Sequence, residues 1–399
     1  MTNKQLNIGI FGFGNVGQGL YEVLQKSPST KASIKKVVVR QKNKARSISQ
    51  DLVSFNPDDI LQNAEINTVA ELIDNADDAL KIVTQALKAG KNVVSGNKKM
   101  IAENLTNLLE LQVETGSSLL YDASACGSIP VIRNLEEYYD NDLLKGITGI
   151  LNGSSNYILT QMHRHNASYN NALKEAQEKG FAESDPTFDV DGYDAMYKLI
   201  ILALHGFGTI VKPEDIFFTG ISNIQACDIQ LAREKGKKIK LIARAFKTEN
   251  VKIALLVAPA FVGPESYIYN VDEEFNGVII EGEAYDEQLM FGKGAGSHPT
   301  GSAVLSDITA MSYNYKYEYK KRKFFTPPTQ TNDVSIKVYF RYQQANVPDL
   351  LPLQSIEEQY SGPNYQYTVG TVKLADLLNT KDILRKFEVF TALHDYKSK

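Results

Sequence analysis

The run Gly12-Phe13-Gly14-Asn15-Val16-Gly17 follows directly on the apolar residues Leu6, Ile8, Ile10 and Phe11, and Val16, Leu20, Val23 and Leu24 then recur at helical spacing. A strand therefore enters a glycine turn inside which a helix opens. No other feature constrains the fold as much. Gly12 permits the tight turn, Gly14 lets the main chain approach a pyrophosphate, and Gly17 lets helix and strand pack closely. The first turn of the helix presents unpaired N–H groups to an anion, so Asn15 and Val16 join the three glycines as cofactor-binding candidates. The alternative is a tight turn in a sheet that holds no ligand.

The same grammar continues downstream. Ala79, Ile82, Val83, Ala86 and Leu87 mark an amphipathic helix ending at Gly90, and Asn92–Ser95 reads as a strand. Leu105, Leu108, Leu109 and Val113 give a helix closed by Gly116, and Leu119-Leu120-Tyr121 the next strand. Strand–helix alternation with short connections predicts a parallel, doubly wound α/β domain of Rossmann type over 1–130, completed by about 300–320. The 399 residues leave room for more. Residues 131–299 read as an α+β domain, with Ser168 capping a helix that runs to Gly180 and Asp191 capping one that carries Leu199, Ile200, Leu202 and Ala203. The stretch 251–280 reads as sheet. Pro327-Pro328 reads as a linker. Residues 330–399 form a small C-terminal α+β module, near the lower size limit for a core of its own and so expected to pack on a partner surface.

Composition excludes several classes. With 43% hydrophobic residues the chain is not disordered, and 43 basic against 47 acidic side chains is not the balance of a nucleic-acid or membrane-surface binder. Cys126 and Cys227 stand too far apart for a disulfide framework or a zinc ribbon, which suggests a reducing compartment. The longest uncharged stretches are diluted by Gly, Ser, Asn and Gln, so no membrane span or signal core is expected. A cytoplasmic protein follows.

Past a second strand that ends in Val37-Val38-Val39, where an NAD site usually places a carboxylate, the chain has Arg40, Lys42, Lys44 and Arg46, with no acid until Asp51. A guanidinium beside lysines suits a 2′-phosphate, so NADP(H) is preferred, with NAD(H) and a merely solvated basic loop as alternatives. Ligands of such sheets bind beyond the carboxyl ends of the strands, which is where Asn97 and Lys98 fall.

The stretch from Glu183 to Asp194 holds five carboxylates and no basic residue. Asp194 and Lys198, four apart on a predicted helix, meet on one face. Acids followed by an Asp–Lys pair suit a zwitterionic small-molecule substrate: the carboxylates (Glu183, Asp185, Asp189, Asp191, Asp194) take its ammonium while the lysine, Lys198, gives or takes a proton at the reacting oxygen. A solvated acidic loop beside an ordinary ion pair is the competing reading.

These residues carry a resemblance. The glycine turn, Ser95-Gly96-Asn97-Lys98, 122–130, Asn152-Gly153-Ser154-Ser155-Asn156-Tyr157, 180–198 and Gly292-Lys293-Gly294-Ala295-Gly296 resemble, in order, the signature blocks of the homoserine dehydrogenase family over about 6–310. The resemblance implies reversible reduction of L-aspartate 4-semialdehyde to L-homoserine by NADPH or NADH, within threonine and methionine biosynthesis. It implies that Glu183 and Asp194 bind the amino-acid end and that Lys198 and Lys98 face the aldehyde oxygen. Which lysine transfers the proton is left open. It also implies a monovalent-cation site (Na⁺ or K⁺) built mostly of main-chain carbonyls at Asp122, Ala125, Gly127 and Ile129, and a homodimer or a dimer of dimers. Asp122 stands where the family more often has Glu, Cys126 replaces a small glycine, and Asp74-Asn75 replace Gly-Gly. The tail lacks the Gly-Val-Leu opening of an ACT domain, so it is a degenerate ACT-like fold or another one.

Other candidates are weaker. His163 and His165, two apart on a predicted helix, face different ways and read as surface residues. His298 sits in a glycine-rich turn with or without a role. Cys126 invites a thioester-forming aldehyde dehydrogenase, but no histidine lies near it in sequence, and a small core cysteine reads better. The tyrosines and lysines of 313–323 have the composition of a single-strand nucleic-acid platform, though a solvated amphipathic edge is preferred. An NADP(H)-sensing protein without chemistry would not need the Asp–Lys pair, and another amino-acid dehydrogenase on this scaffold would differ only in substrate.

Overall fold

A computed structural model describes residues 5–344 and 346–396. Its first elements follow the hydrophobic pattern: β1 (Leu6–Phe11), α1 (Asn15–Gln25), β2 (Ala32–Val38), β3 (Val53–Ser54), α2 (Asp58–Leu61), β4 (Thr68–Glu71), α3 (Ala76–Lys88), β5 (Asn92–Ser95), α4 (Lys98–Glu103), α5 (Leu105–Thr115), β6 (Leu119–Leu120), α6 (Ala123–Cys126) and α7 (Val131–Glu137). The six strands form one parallel sheet in the order β3-β2-β1-β4-β5-β6. Chain direction across the sheet reverses between β1 and β4, so their carboxyl ends flank the crevice where such sheets take ligands.

The elements from β7 (Leu144–Ile150) onward build a second architecture. These are α8 (Gly153–His165), α9 (Tyr169–Glu178), α10 (Thr187–Val190), α11 (Tyr193–Phe207), β8 (Phe217–Phe218), α12 (Ala226–Glu234), β9 (Lys238–Lys247), β10 (Ile253–Val262), β11 (Phe275–Gly282) and β12 (Asp286–Lys293). Then α13 (Ser297–Met311) and α14 (Lys320–Phe324) precede the tail, whose strands are β13 (Ser335–Tyr342), β14 (Leu353–Ser361), β15 (Gln366–Lys373) and β16 (Phe390–Leu393).

The described chain divides into two units. One holds residues up to Asp140 plus Lys293–Lys323, the other Asn141–Gly292 plus residues from Phe324 on. In the first, α13 packs along α1 so closely that a Cβ added at Gly19 would lie 2.0 Å from the carbonyl oxygen of Ser297. The second is organised on a mixed sheet in the order β12-β11-β7-β9-β10-β16-β13-β15-β14, with β8 also paired to β10. Every residue of β10 is buried, and so is every residue of α11 from Asp194 to Phe207.

The tail finds its packing surface within the chain, where β16 lies between β10 and β13 and continues the sheet. Its apolar residues share one core with β10, among them Val338, Phe340 and Leu393 against Leu256, Ala258 and Ala260. An ion pair fastens it further. Arg341, 1% exposed, donates from Nε to both oxygens of Asp228 on α12 at 3.0 Å, and Tyr339 Oη donates to the same carboxylate at 2.9 Å.

Two local expectations are corrected. Asp191 does not cap α11; Gly192 does, with φ 89°, and Asp191 instead ends α10 and accepts from Ser222 Oγ at 2.7 Å. The tyrosines before the tail are a solvated edge only in part: Tyr313 is exposed, but those that follow turn inward. Tyr317 is 3% exposed, its hydroxyl accepts from the Tyr121 N–H, and Tyr319 lies against Tyr121 and Gln112. Ser168 does cap α9, accepting from the Asn171 N–H.

Candidate functional site

In the first unit the glycine turn has the predicted shape. Gly12 sits at φ 93°, and a Cβ there would lie 2.4 Å from the Leu72 carbonyl oxygen; one on Gly17 would lie 2.4 Å from that of Gly12. At Gly14 nothing stands within 4 Å, so the main chain is open to a ligand. Gly14 caps α1 without a side chain, and the helix ladder begins with Gln18 donating to Gly14 O at 2.9 Å. The N–H groups of Asn15, Val16 and Gly17 thus precede the ladder, a ready anion cradle. Ser297 Oγ, at the start of α13, donates to Asn15 O at 2.8 Å and steadies the turn. His298 belongs to α13 rather than to a turn and pairs with Glu22 on α1 at 2.6 Å.

Arg40 stands exposed past β2 and is paired with Asp78 in the first turn of α3. Arg46 is turned back on its own loop, donating to Lys44 O at 2.7 Å and Gln41 O at 2.5 Å. Asn75, one of the two residues replacing the family's glycines, caps α3 by accepting from the Asp78 N–H at 2.9 Å.

Asn97 caps α4, the helix that opens at Lys98, by accepting from the Met100 N–H at 3.0 Å. Its amide nitrogen donates to Ile73 O at 3.0 Å, so this side chain is committed to the loop after β4. The sequence gives no sign of the residue beneath. Glu71 is wholly buried at the end of β4, accepting from Ser95 Oγ at 2.6 Å and the Ile73 N–H at 2.8 Å. Burial pushes its carboxyl up to about 7.

The segment expected to hold a cation runs through α6 into α7. Gly127 has φ 54°, and a Cβ there would meet Gly294 at 2.5 Å. The Asp122 carboxylate points into the start of α7, accepting from the N–H groups of Ile132 at 3.0 Å and Arg133 at 3.3 Å. The carbonyls of Asp122 and Ile129 accept from Ala125 and Val131. Asp307 on α13 binds the Asp122 N–H and Arg133, and burial beside the Asp122 charge raises its carboxyl well above the ordinary range. Cys126 is fully buried, as a core cysteine.

In the second unit, Lys198 is held from two sides, at 2.7 Å from Asp194 Oδ2 and 2.7 Å from Leu151 O. An ammonium has three N–H donors, and these contacts use two. Asn152 ties the acids together, donating to Asp189 Oδ1 at 2.8 Å and Asp194 Oδ2 at 3.0 Å. Its own oxygen caps α8 through the Ser155 N–H at 2.8 Å. Ser154 Oγ reaches Asp189 Oδ2 at 3.1 Å.

The fold thus brings Asp189, Asp194 and Lys198 together and leaves Glu183 exposed on the loop before α10, where its carbonyl accepts from Gln177. Asp185 serves that loop by accepting from the Thr187 N–H. Asn152, Ser154 and Leu151 were missed as individual site residues, although the Asn-Gly-Ser-Ser run after an apolar strand is an N-cap signal. His163 is not a plain surface residue. It is half-buried on α8, and burial pushes its imidazole down to about 4. Among the described residues no cluster of His, Cys, Asp or Glu could hold a metal ion, and no helix is long and apolar enough to cross a membrane.

Comparison with known proteins identifies the family. A family model described as homoserine dehydrogenase matches residues 130–309, and one described as its NAD-binding domain matches residues 12–122. The chain is 34% identical over 338 residues to the homoserine dehydrogenase of Bacillus subtilis, covering 82% of this chain and 78% of that protein. It is 37% identical to that of Helicobacter pylori, covering 77% and 74%. A solved homoserine dehydrogenase from Thiobacillus denitrificans superposes with a TM-score of 0.85 at 29% identity over 98% of both chains, tail included. A hyperthermophilic archaeal homoserine dehydrogenase solved in complex with NADPH superposes with a TM-score of 0.66 at 25% identity over 78% of this chain and 99% of that one.

Proposed function

The chain belongs to the homoserine dehydrogenase family, NAD(P)-dependent oxidoreductases acting on a CH–OH group, and from that premise we propose how its own residues perform the interconversion of L-aspartate 4-semialdehyde and L-homoserine. The observation that carries the reading is the buried Asp194–Lys198 pair, braced by Asn152 and Leu151 in an otherwise apolar helix. A buried ion pair of this kind adds little net stability, and a preorganised ammonium is what carbonyl reduction needs.

The nucleotide fits the residues present. The Gly12–Gly17 turn and the first N–H groups of α1 would take the pyrophosphate, and Arg40, released from Asp78, would take a 2′-phosphate, so NADP(H) is preferred over NAD(H). When bound, the nicotinamide supplies or accepts the hydride. Glu183, Asp189 and Asp194 hold the substrate ammonium. Lys198, with one donor left, stabilises negative charge growing on the carbonyl oxygen, and Lys98 is the second ammonium for that task. One of the two delivers the proton. Held by Asp194, Lys198 stays oriented while it does so.

A monovalent cation fits chiefly through main-chain oxygens at Ala125 and Gly127, because the Asp122 carboxylate is committed to α7. The protein works in the cytoplasm as a homodimer or a dimer of dimers. The test is a spectrophotometric assay with L-homoserine against NADP and NAD, repeated with threonine. Reduction of NADP in preference to NAD is the expected result, and no homoserine-dependent reduction of either would refute the reading.

A further inference from the structure

Four residues at and just past the carboxyl ends of β4 and β5 form a closed hydrogen-bonded ring. The Glu71 carboxyl accepts from the Ile73 N–H at 2.8 Å and from Ser95 Oγ at 2.6 Å. Ser95 Oγ in turn accepts from the Asn97 N–H at 3.1 Å, and the Asn97 amide returns to Ile73 O at 3.0 Å. Main-chain bonds brace it, Gly96 N–H to Glu71 O at 3.1 Å and Leu72 N–H to Phe11 O at 2.9 Å. The ring joins the loop after β4, whose Leu72 carbonyl lies against Gly12, to the cap of the helix that begins at Lys98.

We propose that Glu71 is a positioning residue for the reaction: its ionised carboxylate locks the loop after β4 to the Asn97 cap and so fixes the direction in which α4 presents Lys98. This deepens the proposed function and rests on its assignment of Lys98.

A fully buried carboxyl without a basic partner in its ring is expensive to ionise. What the carboxylate offers is two acceptor oxygens for two donors that arrive from different loops. A Gln side chain has one acceptor, and its NH₂ group would face one of those donors. Around Glu71, β1 contributes Phe11, β5 contributes Ser95, and the loop contributes Asp74, whose negative charge opposes ionisation as burial does. The ionised form accepts both bonds as a charged acceptor, whereas the protonated form must turn its O–H toward Ser95 Oγ and reverse that bond, which weakens the lock, so turnover falls as pH drops through the range where Glu71 gains its proton.

The experiment measures turnover of the full-length enzyme, Glu71→Gln, Ser95→Ala and the double variant from about pH 6 to 9, with NADPH affinity and thermal midpoint alongside. Each single variant is expected to lose about tenfold in turnover, with NADPH affinity held within about threefold. The double variant is expected to lose little more than either single one, because the groups act as a unit. The acid limb present in the wild type should flatten in Glu71→Gln. Wild-type turnover in Glu71→Gln, additive losses in the double variant, or a lowered thermal midpoint with an unchanged pH profile each overturn the proposal. Lys98→Ala run in parallel separates the two readings. If it keeps full turnover, the assignment of Lys98 fails and the premise with it; if it loses turnover while Glu71→Gln does not, the positioning role alone fails.

Discussion

Asn152→Asp swaps one atom's chemistry at the centre of the acidic network. The Asn152 amide nitrogen donates to Asp189 at 2.8 Å and to Asp194 at 3.0 Å, while the side-chain oxygen caps α8. An aspartate keeps the cap but points an oxygen at two carboxylates. At an effective dielectric constant of about 20, each like-charge contact at this distance costs about 5–6 kcal/mol, which together rivals the whole stability of a domain. Taking up a proton is cheaper: holding a carboxyl neutral at pH 7 costs about 4 kcal/mol, at about 1.4 kcal/mol per pH unit above a reference near 3.9. The new Asp therefore folds protonated.

Its folded pKa lies above its unfolded one, so the variant is least destabilised below about pH 4, where one O–H replaces two N–H donors, and loses further stability as pH rises. By pH 7 this further loss relative to wild type is about 4 kcal/mol, or about 8–16 °C in thermal midpoint for a domain of roughly 200 residues. Thermal melts of both proteins across that range test this. Subtracting the wild-type curve removes the pH dependence of native groups such as Glu71 and Asp307. Asn152→Ala, which loses the cap and both donors without adding a charge, should be destabilised to a similar extent at every pH. A difference curve for Asn152→Asp that runs flat between about pH 4 and 7 would refute the network as described.

Further outcomes follow from the same geometry. Arg40→Ala should weaken NADPH binding by about tenfold and NADH binding much less, whereas Asp78→Asn, which releases the guanidinium, should tighten NADPH; equal effects on the two cofactors in titrations would undo the 2′-phosphate assignment. Glu183→Ala should raise the KM for homoserine with little change in kcat, because its exposed carboxylate contributes binding alone, and a kcat loss matched by no KM change would contradict that. Arg341→Ala should destabilise the second unit by about 3–5 kcal/mol in chemical denaturation, since it strands Asp228 in the core, and a loss under about 1 kcal/mol would mean the tail is only loosely attached.

Much of this molecule is legible in the residue order. Much of the parallel sheet is written as short apolar runs followed by helices that end at glycine, and the glycine turn and Asp194–Lys198 register follow from spacing alone. What the spacing hides is pairing between segments remote in sequence. Arg341 meets Asp228 across 113 residues, and Asn152 meets Asp194 across 42, with no local signal to announce either contact. Glu71 reads as the polar end of a strand; only its depth in the sheet shows a buried acid. Asp191 looked like a cap because Asp caps helices, but Gly192 at a left-handed φ starts the helix one residue later. The tail reads as a separate small module because its strands alternate like any others. Its core is borrowed from β10, and a strand that completes another sheet carries no mark of doing so.

In the proposed function, ammonium groups on Lys198 and Lys98 carry the chemistry at the carbonyl oxygen. Single-turnover stopped-flow measurement of hydride transfer in Lys198→Gln, whose amide keeps a donor on Asp194, and in Lys98→Ala tests it most directly. Transfer should slow by about a hundredfold or more in each while NADPH binds within a few-fold of wild type. Hydride transfer at the wild-type rate in either variant would contradict it.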